Sequence, residues 1–236
     1  MIIHKNESLA NQNFLSGVTL LVNKPMGWTS FDVVGKIRGM LRKKLEIKKI
    51  KVGHAGTLDP LATGLLIIAI GKDTQKINTY QESDKKYSGV MRLGATTPSA
   101  DAETEPDRFF PTDHIDAALI EQTRLKFIGK ITQIPPVFSA VKVDGMRAYK
   151  MAREGIDFEI KSREVEVFEF NINHIAVPVI EFTVHCQKGT YIRSLAKDFG
   201  ETMGSGAYLT SLCRTAIGAY ELNDAWTLDE LEKELV

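Results

Sequence analysis

Six consecutive apolar residues, Leu65 to Ile70, stand between Gly64 and Gly71. A run this short and this uniformly apolar reads as a strand buried on both faces, and Gly71 ends it. Val18 to Asn23 reads as a second short buried strand. Thr29, with Asp32 three residues on, has the form of a capping box opening a helix to about Arg42, with Val33, Ile37 and Leu41 as its apolar stripe. Asp73 to Tyr80 reads as a short helix and Lys85 to Leu93 as a strand stopped by Gly94. Thr96 to Pro111, rich in Thr, Pro, Asp and Glu, reads as a surface loop. Thr112 is expected to cap a helix to about Phe127. Residues 134–155 look irregular, with Asp144-Gly145 as a hairpin-turn dipeptide. Strands are expected at Val165 to Ile172, Val179 to Gln187 and Leu209 to Ile217. Helices are expected at Thr190 to Thr202, with Ile192, Leu195, Ala196 and Phe199 at core spacing, and at Leu228 to Leu235. The mixture is α+β, without regular βαβ alternation, repeats or a clean linker.

With 236 residues, 43% apolar and 25% charged, the chain has the make-up of a globular protein able to bury a core. No apolar run reaches the roughly 18 residues of a membrane span, and Met1 to Ser16 holds no secretory h-region. Cys186 and Cys213 lie far apart without metal-type spacing. The expectation is a cytoplasmic protein without disulfides, metal or membrane association. Net charge is zero, yet its distribution is uneven. Eight basic residues and one acid, Glu46, fall between Lys36 and Lys51, while acids gather at Asp101 to Glu121 and Glu221 to Glu234. A local basic surface can bind phosphate on a neutral protein. Charge alone favours the plainer reading, a solvated helix face followed by a lysine-rich loop.

Gly53 to Gly64 reads GHAGTLDPLATG. Asp-Pro by itself is an ordinary helix start, with Asp as cap and Pro in the first turn. Three features point elsewhere. Gly53, Gly56 and Gly64 let the backbone approach another molecule closely. Thr57, Asp59 and Thr63 gather polar groups just before the buried run. Pro60 restricts Asp59 to extended conformations, which holds its carboxylate on a stiff loop edge.

The stretch GHAGTLDPLATGLL resembles the catalytic motif of the TruB family of pseudouridine synthases, G-H-x-G-x-L-D-P-x-A-x-G, at every fixed position. The resemblance extends along most of the chain. Leu21-Val22-Asn23-Lys24-Pro25 with Gly27, Thr29 and Ser30 is similar to the family's N-terminal motif. Lys85-Lys86-Tyr87 followed by Arg92-Leu93-Gly94 is similar to its tyrosine strand, and Thr97 through Asp101 to its T-x-x-x-D stretch. QIPPVFSAVK from Gln133 to Lys142, with Gly145, Ala148, Tyr149, Ala152, Arg153 and Gly155, resembles its substrate-side segment. KGTYIRSL from Lys188 to Leu195 resembles its arginine motif, and LTSLCR from Leu209 to Arg214 its C-terminal L-x-x-L-x-R. Many bacterial members carry a further PUA domain. This chain stops at Val236, so the resemblance is to a short form without one, and not to the dyskerin branch.

The resemblance implies a pseudouridine synthase fold: α+β, with a central mixed, largely antiparallel sheet, flanking helices and a thumb-like insertion at about 112–155 in a single catalytic domain of residues 1–236. It implies isomerisation of the tRNA T-loop uridine conventionally numbered 55, with no cofactor, the T-arm stem-loop as partner, no obligate protein partner and a monomeric state. Asp59 would be the nucleophile, as carboxylates are in glycoside chemistry. Attack at the anomeric carbon, attack at C6 of the base and a glycal route all use that same group. Arg193 would be its cationic partner. An arginine in the first turn of the helix near Thr190 opposes the helix dipole, which itself suggests a local reason for its presence. Tyr87, spaced with Gly89, Met91 and Leu93, reads by periodicity as a core aromatic, and by resemblance as a ring stacked on the target uracil. His54 would contact the rearranged RNA loop. Lys24, Leu212 and Arg214 would line the pocket, and Lys142 would join the Lys36 to Lys51 cluster on phosphates. Two other readings are a non-catalytic RNA-binding or RNA-folding module on the same fold, and a nucleosidase-like hydrolase releasing free uracil.

Overall fold

The structure, a computed structural model, describes residues 2–5, 7–139, 141–143 and 145–235. Ala140 of the QIPPVFSAVK segment and Asp144 of the turn dipeptide lie outside the described residues, as do the side chains of Tyr149 and Arg153. The chain forms two compact units, Met1–Tyr87 with Leu212–Val236, and Ser88–Ser211.

In the first unit, β1 (Ile2–Ile3), β2 (Val18–Lys24), α1 (Ser30–Lys44), β3 (Val52–Ala55) and β4 (Thr63–Ile70) come first. A 3-10 turn, Gly71–Lys76, then runs into α2 (Ile77–Glu82), and β5 (Lys85–Leu93) carries the chain into the second unit. There β6 (Ala95–Thr96), β7 (Arg108–Phe109), α3 (Ala117–Leu125), β8 (Gly129–Gln133), β9 (Lys142–Val143), β10 (Met146–Arg147), α4 (Ala148–Arg153), β11 (Arg163–Ala176), β12 (Val179–Cys186) and α5 (Ile192–Thr202) follow. Along β13 (Ala207–Ile217) the chain re-enters the first unit, which β14 (Tyr220–Glu221) and α6 (Leu228–Leu235) complete.

The first unit is organised around β4. It pairs antiparallel with β2 from Val18↔Ile70 to Lys24↔Gly64, antiparallel with β3 from Val52↔Ile70 to Ala55↔Ile67, and parallel with β13 at Cys213↔Thr63 and Arg214↔Gly64. The sheet is therefore mixed, and the fold is α+β as expected. Each residue from Leu65 to Ile70 is fully buried. Alternation decides what each one meets. Leu66, Ile68 and Ile70 join one core cluster with Val33, Val34, Ile37 and Leu41 of α1 and Leu231 and Leu235 of α6. Leu65 and Ile67 join another with Leu21, Ala55, Ile217 and Ala225. Each buried Leu or Ile contributes about 1.5–3 kcal/mol.

α1 starts as its sequence indicates. Thr29 is the N-cap: its hydroxyl accepts from the Asp32 N–H at 3.0 Å, and the Asp32 carboxylate accepts from the Thr29 N–H at 2.8 Å. Gly64, inside β4, and Gly71, just after it, serve its close packing. Gly64 has φ +104°, and a Cβ there would run into the Arg214 carbonyl.

In the second unit β11 pairs antiparallel with both β12 and β8. Phe170 packs edge-on to Phe182 at 5.7 Å and to Phe199 of α5 at 5.4 Å. β9 and β10 form a hairpin across the expected turn, with Gly145 at φ +86°.

Three expectations change. The helix expected from Thr112 begins at Ala117, because Asp116 caps it by accepting from the Leu119 N–H at 2.8 Å. Thr112 instead heads a turn closed by the Ile115 N–H on its carbonyl. The helix expected from Asp73 opens as a 3-10 turn at Gly71, with the buried Asp73 side chain held by the Thr19 hydroxyl at 3.0 Å and Lys76 at 2.7 Å. Within the expected loop after Thr96, Ala95 and Thr96 pair with Phe109 and Arg108.

Thr29→Ala removes the capping box and is expected to lower stability by about 1 kcal/mol in urea unfolding. Gly64→Ala combines left-handed strain with the Arg214 clash. Its expected loss is on the order of 3 kcal/mol or more, and a near-neutral result would show that the β4–β13 contact can open to admit a methyl group.

Candidate active site: a loop held by two buried cations

Between β3 and β4, residues 56–62 form a loop whose centre is Asp59. The Asp-Pro helix start does not occur. Asp59 opens a tight turn instead, with its carbonyl accepting from the Ala62 N–H at 3.1 Å, and the chain enters β4 directly.

The first unit holds this loop from three directions. Lys24, at the end of β2, is fully buried, and its ammonium donates to the carbonyls of Pro25 at 2.9 Å, Trp28 at 2.6 Å and Pro60 at 3.2 Å. The Pro60 carbonyl also accepts from the Gly27 N–H at 2.8 Å. Arg214, 1% exposed, donates from Nε to the Leu65 carbonyl at 2.8 Å and from Nη2 to the Gly56 carbonyl at 2.9 Å. A longer 3.5 Å contact joins Nη1 to the Thr57 carbonyl. Ser30, in the first turn of α1, donates from its hydroxyl to the Leu58 carbonyl at 3.2 Å and accepts from the Leu58 N–H at 2.8 Å. Backbone groups on both sides of Asp59 are thus tied down by side chains from β2, α1 and β13.

Electrostatics follow from that burial. Lys24 is lowered from its ordinary 10.5 to about 8, first by loss of solvation and also by Arg214, while the Asp59 carboxylate works in the opposite direction. The attraction is mutual, so the charge on Lys24 favours the ionised form of Asp59. His54 lies half-buried in β3, and burial first and Arg214 second hold it below the usual imidazole range. It is a neutral imidazole at neutral pH. Tyr87 is half-buried in β5 on the face that carries the buried Gly89, Met91 and Leu93, and Leu212 is half-buried in β13.

Arg193 belongs to the second unit. It is 4% exposed, with Nε 3.6 Å from the Asp101 carboxylate, Nη1 donating to the Ser99 carbonyl at 3.2 Å and Nη2 donating to the Phe138 carbonyl at 2.9 Å. These partners are the local reason for a cation in the first turn of α5. Asp101 is held in turn: its carboxylate accepts from the Glu103 N–H at 3.0 Å, and its carbonyl accepts from the Thr97 and Ser99 hydroxyls. Lys142 is exposed on β9.

The basic cluster divides. Lys36 pairs with Glu232 at 2.7 Å, and Lys44 donates to the Glu234 carbonyl at 3.2 Å. Arg42, Lys43, Lys48, Lys49 and Lys51 are exposed. Among the described residues, no three His, Cys, Asp or Glu side chains group as a metal site. No helix of the described chain is long and apolar enough to cross a membrane.

Sequence reasoning assigned no role to Ser30 or Asp101. Both sat in motifs, but only their burial and their bonds to distant residues reveal what they hold.

Residues 42–192 match the model of the TruB family pseudouridylate synthase N-terminal domain, and residues 193–236 match that of the tRNA pseudouridylate synthase B C-terminal domain. The tRNA pseudouridine synthase B of Flavobacterium johnsoniae is 52% identical over 95% of this chain and 98% of its own length. That of Chlorobium chlorochromatii is 42% identical over 99% of this chain and 91% of its own. A chain in the crystal structure of a Cbf5–Nop10–Gar1 complex superposes with a TM-score of 0.71 at 28% identity; it is matched over 98% of the present chain, which spans 58% of that one. Two family models that together reach from Arg42 to the last residue, and relatives about half identical across nearly their whole length, establish that this chain belongs to the TruB family of pseudouridylate synthases.

Proposed function

We propose that this chain isomerises uridine to pseudouridine in tRNA, at the T-loop uridine numbered 55, with Asp59 as the nucleophile. The observation that carries the reading is the clamped loop. Lys24, Ser30 and Arg214 fix the backbone on both sides of a half-buried carboxylate, and the adjacent cation favours its charged form. The names of the similar proteins support pseudouridine formation in tRNA. A tRNA substrate is in keeping with a cytoplasmic protein.

The reaction breaks the bond from N1 of the base to C1′ of the ribose and forms a bond from C5 to C1′. The C5 proton leaves to solvent and N1 gains one, so no oxidant, reductant or co-substrate is consumed. Asp59 supplies the electron pair that carries the intermediate. Before that, the base must leave its stack to reach the loop. Tyr87, on its strand, supplies a ring for the displaced uracil and a hydroxyl for proton transfer. Arg193, held by Asp101, Ser99 and Phe138, is the cationic partner of the nucleophile that the family resemblance implies. His54, being neutral, suits stacking and hydrogen bonding with RNA, and Leu212 lines the pocket. Lys142 meets phosphate from its exposed position. We read Lys24 and Arg214 as positioning residues, because their donors are directed at loop carbonyls rather than outward.

With a T-arm stem-loop labelled with tritium at uridine C5, wild type is expected to release tritium in the presence of EDTA. Asp59→Asn is expected to release none while its circular dichroism stays native. Equal release by both proteins would remove Asp59 from the chemistry, and release of free uracil would instead indicate a hydrolase.

Lys24 gives a pH signature with two opposite signs. Its folded pKa of about 8 lies below its ordinary 10.5. Between those values the unfolded chain binds the extra proton, so this group makes stability rise with pH. Activity should move the other way, because a neutral amine withdraws one cation from beside Asp59. The expected profile is a kcat/KM that declines above about pH 8 while urea stability does not. Activity that stays flat through pH 9.5 or so would show that the charge on Lys24 is not needed.

A further inference from the structure

The solvent face of α1 carries a group that the loop chemistry does not use. Phe31 follows Ser30, the residue bonded in both directions to Leu58 beside Asp59, yet Phe31 is 66% exposed. Arg38, two turns on, places its guanidinium 5.8 Å from the ring centroid and donates to the Val52 carbonyl at 3.1 Å. The ring is therefore backed by a cation that is itself held on β3. Helical spacing puts Gly35, Gly39 and Arg42 on the same face. Both glycines are exposed, and a Cβ at either would meet nothing within 4 Å, so this face is low between Phe31 and Arg42 apart from Arg38. Arg42 and Lys43 at its far end are exposed.

An open aromatic ring backed by arginine, on a basic surface, complements an unpaired nucleobase with its phosphates: the base offers a π face and its backbone offers anions. We propose that Phe31, backed by Arg38, is a stacking platform for an unpaired base of the RNA substrate, with Arg42 and Lys43 on the flanking phosphates. The identity of the ligand rests on the proposed function. The platform lies outside the catalytic loop, so it contributes to binding and not to the chemical step.

The test measures Kd for an unmodified tRNA transcript across a salt series, together with kcat at saturating RNA. Phe31→Ala is expected to raise Kd about 10-fold and leave kcat unchanged, while Phe31→Tyr stays within about twofold of wild type. Arg42→Ala is expected to lower the slope of log affinity against log salt by about one, whereas Phe31→Ala leaves that slope unchanged. Wild-type affinity in Phe31→Ala, or a loss in Phe31→Tyr equal to that in Phe31→Ala, overturns the platform. If wild type forms no pseudouridine while Phe31→Ala still loses tRNA affinity, the catalytic reading fails and the platform stands.

Discussion

Two cations with almost no access to water, Lys24 and Arg214, are what the candidate site depends on. A buried charge is costly unless its donors are satisfied, and here the partners are chiefly main-chain carbonyls: Pro25, Trp28 and Pro60 for one, Leu65, Thr57 and Gly56 for the other. Because carbonyls bear only partial charge, they satisfy the donors without neutralising the cations. Positive potential is therefore left over beside the loop, and Asp59 is the acid that acts most strongly on Lys24, ahead of Asp32. The same bonds fix the loop's path, so geometry and electrostatics have a common origin.

That arrangement rests on the apolar strand behind it. β4 is covered on both faces, by α1 and α6 residues on one side and by Leu21, Ala55, Ile217 and Ala225 on the other. Arg214 reaches its carbonyls because β13 runs parallel to the start of β4, with Arg214 opposite Gly64. A side chain at Gly64 would separate the two strands. The glycine that closes the family motif is thus also the contact that admits its arginine.

The chain's regular elements were legible where one local signal was strong. Leu65 to Ile70 read most simply as a buried strand, which it is, and the Thr29–Asp32 pair marked the start of α1 to the residue. Where two caps competed, as with Thr112 and Asp116, the sequence did not say which would prevail, since both residue types satisfy an N-terminal N–H. Asp59-Pro60 shows the same ambiguity resolved against helix, because the Pro60 carbonyl is taken up by Gly27 and Lys24. The residues of the candidate site were legible through motif resemblance, but the manner in which Lys24, Ser30 and Arg214 act was not. Their partners are backbone atoms 28 or more residues away for Ser30 and 149 or more for Arg214, and no periodicity encodes such pairs. The partnership of Arg193 with Asp101, Ser99 and Phe138 was hidden for the same reason.

The first unit is assembled from two stretches of chain, Met1–Tyr87 and Leu212–Val236, and that has a consequence for biosynthesis. During translation the Asp59 segment leaves the ribosome long before Arg214 and the α6 residues that cover β4. At elongation rates of roughly 5–20 residues per second, it waits about 8–30 seconds without its second anchor. Until then Lys24 and Ser30 can hold the loop, but Arg214 cannot. The set of anchors around Asp59 is therefore complete only after the last stretch has docked.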